Sequence, residues 1–378
     1  MNLKAANYDT SFGEQGLVSL VSPGNESNEM ARLKLDSQGR TIIYGTYQHG
    51  NPKKFRAGVG RLTDNGNPDL EFGSDGAGFT IAPERNDAPN VDGLDYNKND
   101  ELFIVTVANE NLTLLRYDQN GRFPKAFSID SSSAGLTPQL LVMDDNKLII
   151  SGIVDQGVML YRRNADGTAD DNFGERGKKH VLTDSAYVNI WKIISDSSKD
   201  HFFLVGFARN TGIVAKFDTE GNLDGSFATG GVFAISTETS ANSSCINAIS
   251  LANDNIIILY NAFYDNAPAC FITCLNREGE PEPSFNSGQA LRLIGNVAES
   301  ISLAAGGEFA VAHRSLTTGN YVSLFLPSGA PYPDFGVEGN FKLNLIPGIV
   351  KDVIIHSDKR ITVGFSNPPH TKLARLTY

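Results

Sequence analysis

Six times along this chain a glycine stands six residues before a phenylalanine: Gly66 and Phe72, Gly121 and Phe127, Gly167 and Phe173, Gly221 and Phe227, Gly279 and Phe285, Gly329 and Phe335. A seventh aromatic, Phe12, has Ala6 at the glycine position. The surrounding phrase is a polar turn followed by Asp-x-x-Phe, as in RNADGTADDNFGERG, LTDNGNPDLEFGSDG and FDTEGNLDGSFATGG. The spacing between successive phenylalanines runs from 46 residues (Phe127 to Phe173) to 60 (Phe12 to Phe72), so length varies outside the phrase. Self-similarity at this period is the signature of a repeat architecture, in which each unit buries its faces against its neighbours.

A second block recurs seven times: an apolar run after a turn, beginning at Arg40, Glu101, Lys147, His201, Asn255, Glu308 and Arg360. Runs of four or five residues rich in Ile, Val and Phe are too short for helices and read as strands buried on both faces. A small residue often follows the run (Gly45, Thr106, Gly152, Gly206, Ala312, Gly364), which suits a strand end or a close backbone approach. Each unit resolves into four short strands. In the first these begin at Met30, Thr41, Arg56 and Gly76. Four antiparallel strands in a unit of this length match a propeller blade, and a closed ring leaves only protected edges. The expected fold is all-β, a single domain over 1–378 forming a seven-bladed β-propeller. The closing KLARLTY aligns with GVGRLTD at Gly58, and residues 6–17 continue the unit where the end stops. The strand at 17–21 is therefore expected to complete the last blade.

The alternation of an apolar strand, an Asn-Ala-Asp-Gly turn and Asp-x-Ser-Phe-Gly-x-x-Gly resembles the bacterial delta-60 repeats, best seen at Asn164–Gly177 and Asp9–Gly16. The likeness spans nearly the whole chain. It implies a propeller-like fold and a bacterial source, and it carries no catalytic residues. Two units depart from it: Pro124 and Glu282 replace the usual Asp, and Ser128 and Asn286 the usual Gly.

A formal net charge of −11, with no locally basic stretch, argues against nucleic acid and anionic membranes as partners. No segment approaches the roughly 20 apolar residues of a membrane-spanning helix. The first twelve residues do not read as a secretory signal, so the expected location is the cytoplasm, or export by a route without an N-terminal signal, or the chain is a mature form whose signal was removed. Of the three cysteines, Cys270 and Cys274 share a strand, where four residues span about 13 Å, too far for a disulfide. All three read as buried thiols.

No sequence motif for catalysis is present: no G-x-S-x-G elbow, no paired histidines at metal-ligand spacing, and no helix after Phe-Gly-x-x-Gly to cradle phosphate. The acidic turns (Asp166, Asp170 and Asp171; Asp218, Glu220 and Asp224) have oxygens for calcium, but other copies lack them, and hairpin turn chemistry accounts for them. Candidate binding residues come from the first strand of each blade, which should line the channel. One column reads Ala31, Asp92, Pro138, Trp191, Asn247, Glu299, Lys351; its neighbour adds Arg32, Gln139, Lys192 and Asp352, with the fourth unit's register open by one residue. Converging polar groups in a concavity define a default site. The leading functional expectation is a non-catalytic binding scaffold that presents a face or channel mouth to a protein, peptide or glycan. No cofactor is expected under that reading. A lactonase-like hydrolase or lyase, with a channel metal on Asp92, Asn247 and Glu299, is the alternative. A lectin with one site at Trp191 is the third.

Overall fold

The apolar runs form the second strand of every sheet, and their side chains are buried on both faces. Phe202–Val205, Ile256–Leu259 and Phe309–Ala312 are each 2% exposed or less. The computed structural model describes residues 6–21, 28–49, 54–74, 76–82, 91, 93–108, 111–122, 125–130, 138–154, 157–183, 187–235, 242–265 and 267–378. Seven antiparallel sheets of short strands surround a central channel, a seven-bladed β-propeller. The first blade consists of Asn28–Leu35, Thr41–His49, Lys54–Leu62 and Phe79–Ile81. The inner strands of blades two to seven are Gly93–Tyr96, Gln139–Val142, Asn189–Ser195, Ser243–Ser250, Val297–Leu303 and Ile349–Ile355.

No single core exists. The buried apolar residues fall into seven clusters, each shared by two adjacent blades. One, for example, joins Phe173 and Leu160 of blade three to Ile193 and Leu204 of blade four. This is the arrangement that lets a four-stranded sheet cover both faces.

Blade seven takes three strands from the C-terminal part: Ile349–Ile355, Arg360–Asn367 and His370–Thr377. Its outer edge is Leu17–Leu20, paired with Thr371–Ala374, and Asn7–Tyr8 pairs with Leu376–Thr377 on the same strand. The predicted clasp is therefore present. Asn28 reinforces it, donating from Nδ2 to Leu20 O and accepting the Thr371 amide on Oδ1.

The phenylalanine–glycine register has a direct structural meaning. Each phenylalanine packs on the turn glycine of the next blade. A Cβ at Gly221 would stand 2.7 Å from the Phe173 ring, and Gly221 also takes a φ of +72°, so glycine is required twice over. The same contact joins Phe12 to Gly66, Phe72 to Gly121, Phe127 to Gly167 and Phe285 to Gly329. Phe335 meets Ala6 in the cluster that closes the ring. The residue after the phenylalanine donates its amide to a carbonyl of the neighbouring turn: Gly13 to Asn65 at 2.8 Å, Gly73 to Asn120 at 2.7 Å, Ala228 to Glu278 at 2.7 Å, Asn286 to Ser328 at 3.0 Å.

A basic residue eight positions before the Asp completes this joint. Arg61 pairs with Asp69 at 2.6 Å, lies over the Phe72 ring at 5.0 Å and donates to Gln119 O in blade two. Arg162 does the same with Asp170, Phe173 and Thr219 O. Arg375 repeats it across the clasp with Asp9, Phe12 and Asp64 O. The acidic turn residues are thus engaged locally: Asp170 by Arg162 and Lys147, Asp224 by Lys216, and Asp166 by Thr168. The cysteines are free and buried, and burial pushes the Cys270 and Cys274 thiols up to about 12.

Candidate binding site in the channel and at its mouth

Every inner strand enters from the side of the molecule that carries the second-to-third and blade-to-blade connections (the loop face). It leaves at the side that carries the tight turns (the turn face). Channel-facing side chains are positioned by an irregularity near the loop-face end. In blades four to seven the ladder skips one residue, at Trp191, Ile246, Glu299 and Lys351, and blade one breaks between Glu29 and Arg32. Bulges of this kind re-aim side chains beside sites.

The register corrects one residue of the sequence column. Asn247 pairs with Leu259, as Lys192 pairs with Val205 and Asp352 with Gly364, so Asn247 belongs to the Lys192 level and Ile246 takes the place beside Trp191. The slip lies in blade five, while blade four has the expected register. The bulge position of blade five holds the apolar Ile246 and the polar side chain follows one residue later, so polarity alone misplaced it. Asp92 lies outside the described residues.

The channel is a cavity of about 790 Å³ lined by all seven blades, including Arg32, Gln139, Trp191, Lys192, Asn247, Glu299 and Asp352. Two of its carboxylates, Asp352 and Asp95, join blades. Asp352 Oδ2 accepts the Leu33 amide of blade one at 2.8 Å, while Oδ1 accepts the Ser300 hydroxyl of blade six and the Val353 amide. Asp95 binds Lys34 at 2.5 Å, the Val142 amide of blade three at 2.8 Å and the Tyr96 amide. Glu299 is held by Arg314 at 3.0 Å, with Lys351 3.8 Å away. Arg32 donates to Lys351 O at 3.2 Å. Burial raises the nearby Tyr96 phenol to about 12, with Asp95 adding to the effect.

The donors are another matter. The Lys192 side chain makes no hydrogen bond or ion pair among the described residues. Burial pushes its ammonium below the ordinary lysine range, and the field of Lys34 adds to this. Gln139, 2% exposed, has a side-chain nitrogen with no partner. Neither donor stood out by motif or spacing in the sequence; only their place in the second column marked them.

At the loop-face mouth, beside blades four to six, a cleft of about 320 Å³ opens between Phe207, Ala262, Phe263, Pro268 and Val297. Two amides fix its walls: Asn261 accepts the Ala298 amide at 2.8 Å, and Asn296 donates to Pro268 O at 3.0 Å and accepts the Leu316 amide. Trp191 borders it, leaning on Phe207 at 6.2 Å, with its indole N–H donated to Ser244 at 3.0 Å. Sequence reasoning found Trp191 and missed the cleft. The available signal was Phe263–Tyr264, a pair of adjacent aromatics on which no other second strand ends. Among the described residues no group of three His, Cys, Asp or Glu side chains is arranged to hold a metal, and no helix is long and apolar enough to cross a membrane.

Solved propellers share the architecture. A catalytically inactive virginiamycin B lyase from Staphylococcus aureus with quinupristin aligns with a TM-score of 0.60 at 12% identity, covering 96% of this chain and 99% of that one. The β-propeller domain of Cps50 (Swd1) from Myceliophteria thermophila aligns at 0.55 and 9%, covering 96% and 98%. The periplasmic gluconolactonase PpgL of Pseudomonas aeruginosa aligns at 0.53 and 11%, covering 80% and 83%. At these identities the likeness establishes the fold alone. No family model and no curated sequence matches the chain.

Proposed function

We propose that this protein is a non-catalytic binding propeller that seats a peptide segment of a partner protein across the loop-face mouth of its channel, at blades four to six. The observation that carries this reading is the apolar cleft between Phe207, Phe263, Pro268 and Val297, whose walls are already locked by Asn261 and Asn296. A preformed apolar pocket with a few polar groups is the usual seat for an anchoring side chain, and pre-organisation lowers the entropy cost of binding. Exposed apolar groups cluster on the same face. Phe263 is 48% exposed, Leu316 59% and Tyr187 84%, with Tyr264, Ile294, Leu345 and Ile349 alongside. Patches of that kind mark interaction surfaces.

The glycan reading is weaker, because the Trp191 indole is built into a wall and its N–H is spent on Ser244. The hydrolase or lyase reading asks Glu299 to leave Arg314 and Lys351 for a metal. Selection of a random peptide display library on the intact protein tests the proposal. Enriched peptides should share an apolar anchor and lose about tenfold or more in affinity against Phe263→Ser, the scale of one anchor in a desolvated pocket. Peptides that bind the Phe263→Ser protein equally well, or a library that never enriches while a glycan array responds, would sink it.

A further inference from the structure

We infer that the centre of the channel is a binding site for a small oxyanion, of the carboxylate or phosphate class, with Lys192, Gln139 and Asn247 as its direct donors. The site is independent of the peptide cleft, and either can fail alone.

Three observations converge on it. The first is position. Gln139 pairs with Ser151, Lys192 with Val205 and Asn247 with Leu259, so the three stand at one level of the channel on successive blades three, four and five. All three line the 790 Å³ cavity.

The second is unused donor capacity. The half-buried Lys192 side chain has no hydrogen bond or ion pair among the described residues, and Gln139 Nε2 is buried without a partner. The Asn247 side-chain oxygen accepts the Ala248 amide at 2.9 Å, which turns its nitrogen away from that bond. A buried donor left unsatisfied costs about 1–3 kcal/mol, so the Gln139 amide is stabilised by a group in the channel that supplies an acceptor, and the half-buried Lys192 ammonium stands at the same level to hold its charge. Lys192 can only donate, Gln139 offers an unpartnered N–H donor and the Asn247 oxygen is already taken, so the complement is an acceptor-only group, which a carboxylate or phosphate is.

The third is the field. Among the described residues, the charged groups acting on Lys192 include Lys34, Asp352, Arg32 and Asp95. Both acids are saturated by blade-joining hydrogen bonds and, for Asp95, by Lys34. The cations' repulsion of the Lys192 ammonium is relieved when an anion enters. This stands out in a chain whose overall charge is −11.

The test is direct titration of the whole protein with acetate, citrate and inorganic phosphate, against sodium chloride at matched ionic strength, read by calorimetry and by the unfolding midpoint. Saturable binding with a rise in midpoint is expected for at least one of the three, and the responding probe tells carboxylate from phosphate. Lys192→Met should weaken that binding about tenfold or more, the scale of one charge-assisted hydrogen bond, and Gln139→Leu by a smaller factor. Lys342→Met, on an exposed outer strand, should leave it unchanged. A native protein that binds none of the three probes overturns the inference without reference to any variant. Equal affinity in the native and Lys192→Met proteins overturns it as well.

Discussion

The two faces of the ring are built to different rules. On the turn face the joints between blades reuse the same few parts: a phenylalanine ring on a neighbouring glycine at six joints and on Ala6 at the seventh, at four of them an amide donated to the next turn, and where the copy is intact an Arg–Asp pair tied to the next blade's carbonyl. On the loop face the blades differ from one another. Eight of the eleven exposed large apolar side chains among the described residues stand there: Val21, Tyr187, Phe263, Tyr264, Ile294, Leu316, Leu345 and Ile349. Repetition tracks packing, which is the same problem at every joint. Divergence tracks surfaces that packing does not use.

That contrast can be broken by measurement. The largest effect belongs to a joint. Phe173→Ala should cost about 3–5 kcal/mol in denaturant unfolding, since a fully buried ring leaves a cavity against Gly221. Phe127→Ala, at the half-buried copy in the degenerate blade two, should cost clearly less. Equal losses at both would mean that the intact phrase confers no special stability.

An intermediate effect concerns Asp224. Burial alone would raise its carboxyl, but the Ser226 hydroxyl and amide and the Lys216 ammonium outweigh burial and hold it at about 2. The sign follows. A carboxyl depressed in the folded state stabilises above its unfolded value of 3.8 and loses that contribution as pH falls towards 2. Asp224→Asn should cost about 1–2 kcal/mol at neutral pH, the worth of hydrogen bonds to a charged group, and the gap to the native protein should close between pH 4 and 2. A gap that does not change with acid would remove the pairing from the account.

The smallest effect is expected on the other face. Phe263→Ser should shift stability by no more than about 0.5 kcal/mol, as for a surface position, while abolishing capture of the selected peptides. A loss of several kcal/mol would show that the loop face is also a packing surface, and the contrast would fall.

What could be read from the sequence divides along the same line. The seven units, the glycine–phenylalanine register, the role of Ala6 as the seventh turn position and the clasp at Leu17–Leu20 were all legible, because each repeats a packing constraint. Glu282 was read as a departure, yet it does the work of the missing Asp, accepting the Ser284 amide and hydroxyl from one oxygen. The eight-residue spacing from Arg61 to Asp69, Arg162 to Asp170 and Lys216 to Asp224 was present in the text and went unread, since charge pairing across a turn has no hydropathy signal. Among the described residues the channel level was legible except in blade five, where polarity pointed to Asn247, one residue past the apolar bulge position Ile246. The cleft was not legible, because Phe207, Phe263 and Pro268 come together only through the hairpin and the neighbouring blade.

The clasp has a cost that the other six sheets avoid. Asn7 meets Thr377 across 370 positions of chain, whereas the remaining outer strands fold back within their own unit. Loop-closure entropy grows by only about 0.6 kcal/mol per doubling of length, so joining ends that lie nearly three doublings beyond one unit adds roughly 2 kcal/mol. The seam between head and tail is therefore where the circle should finish assembling, and where it should first come undone.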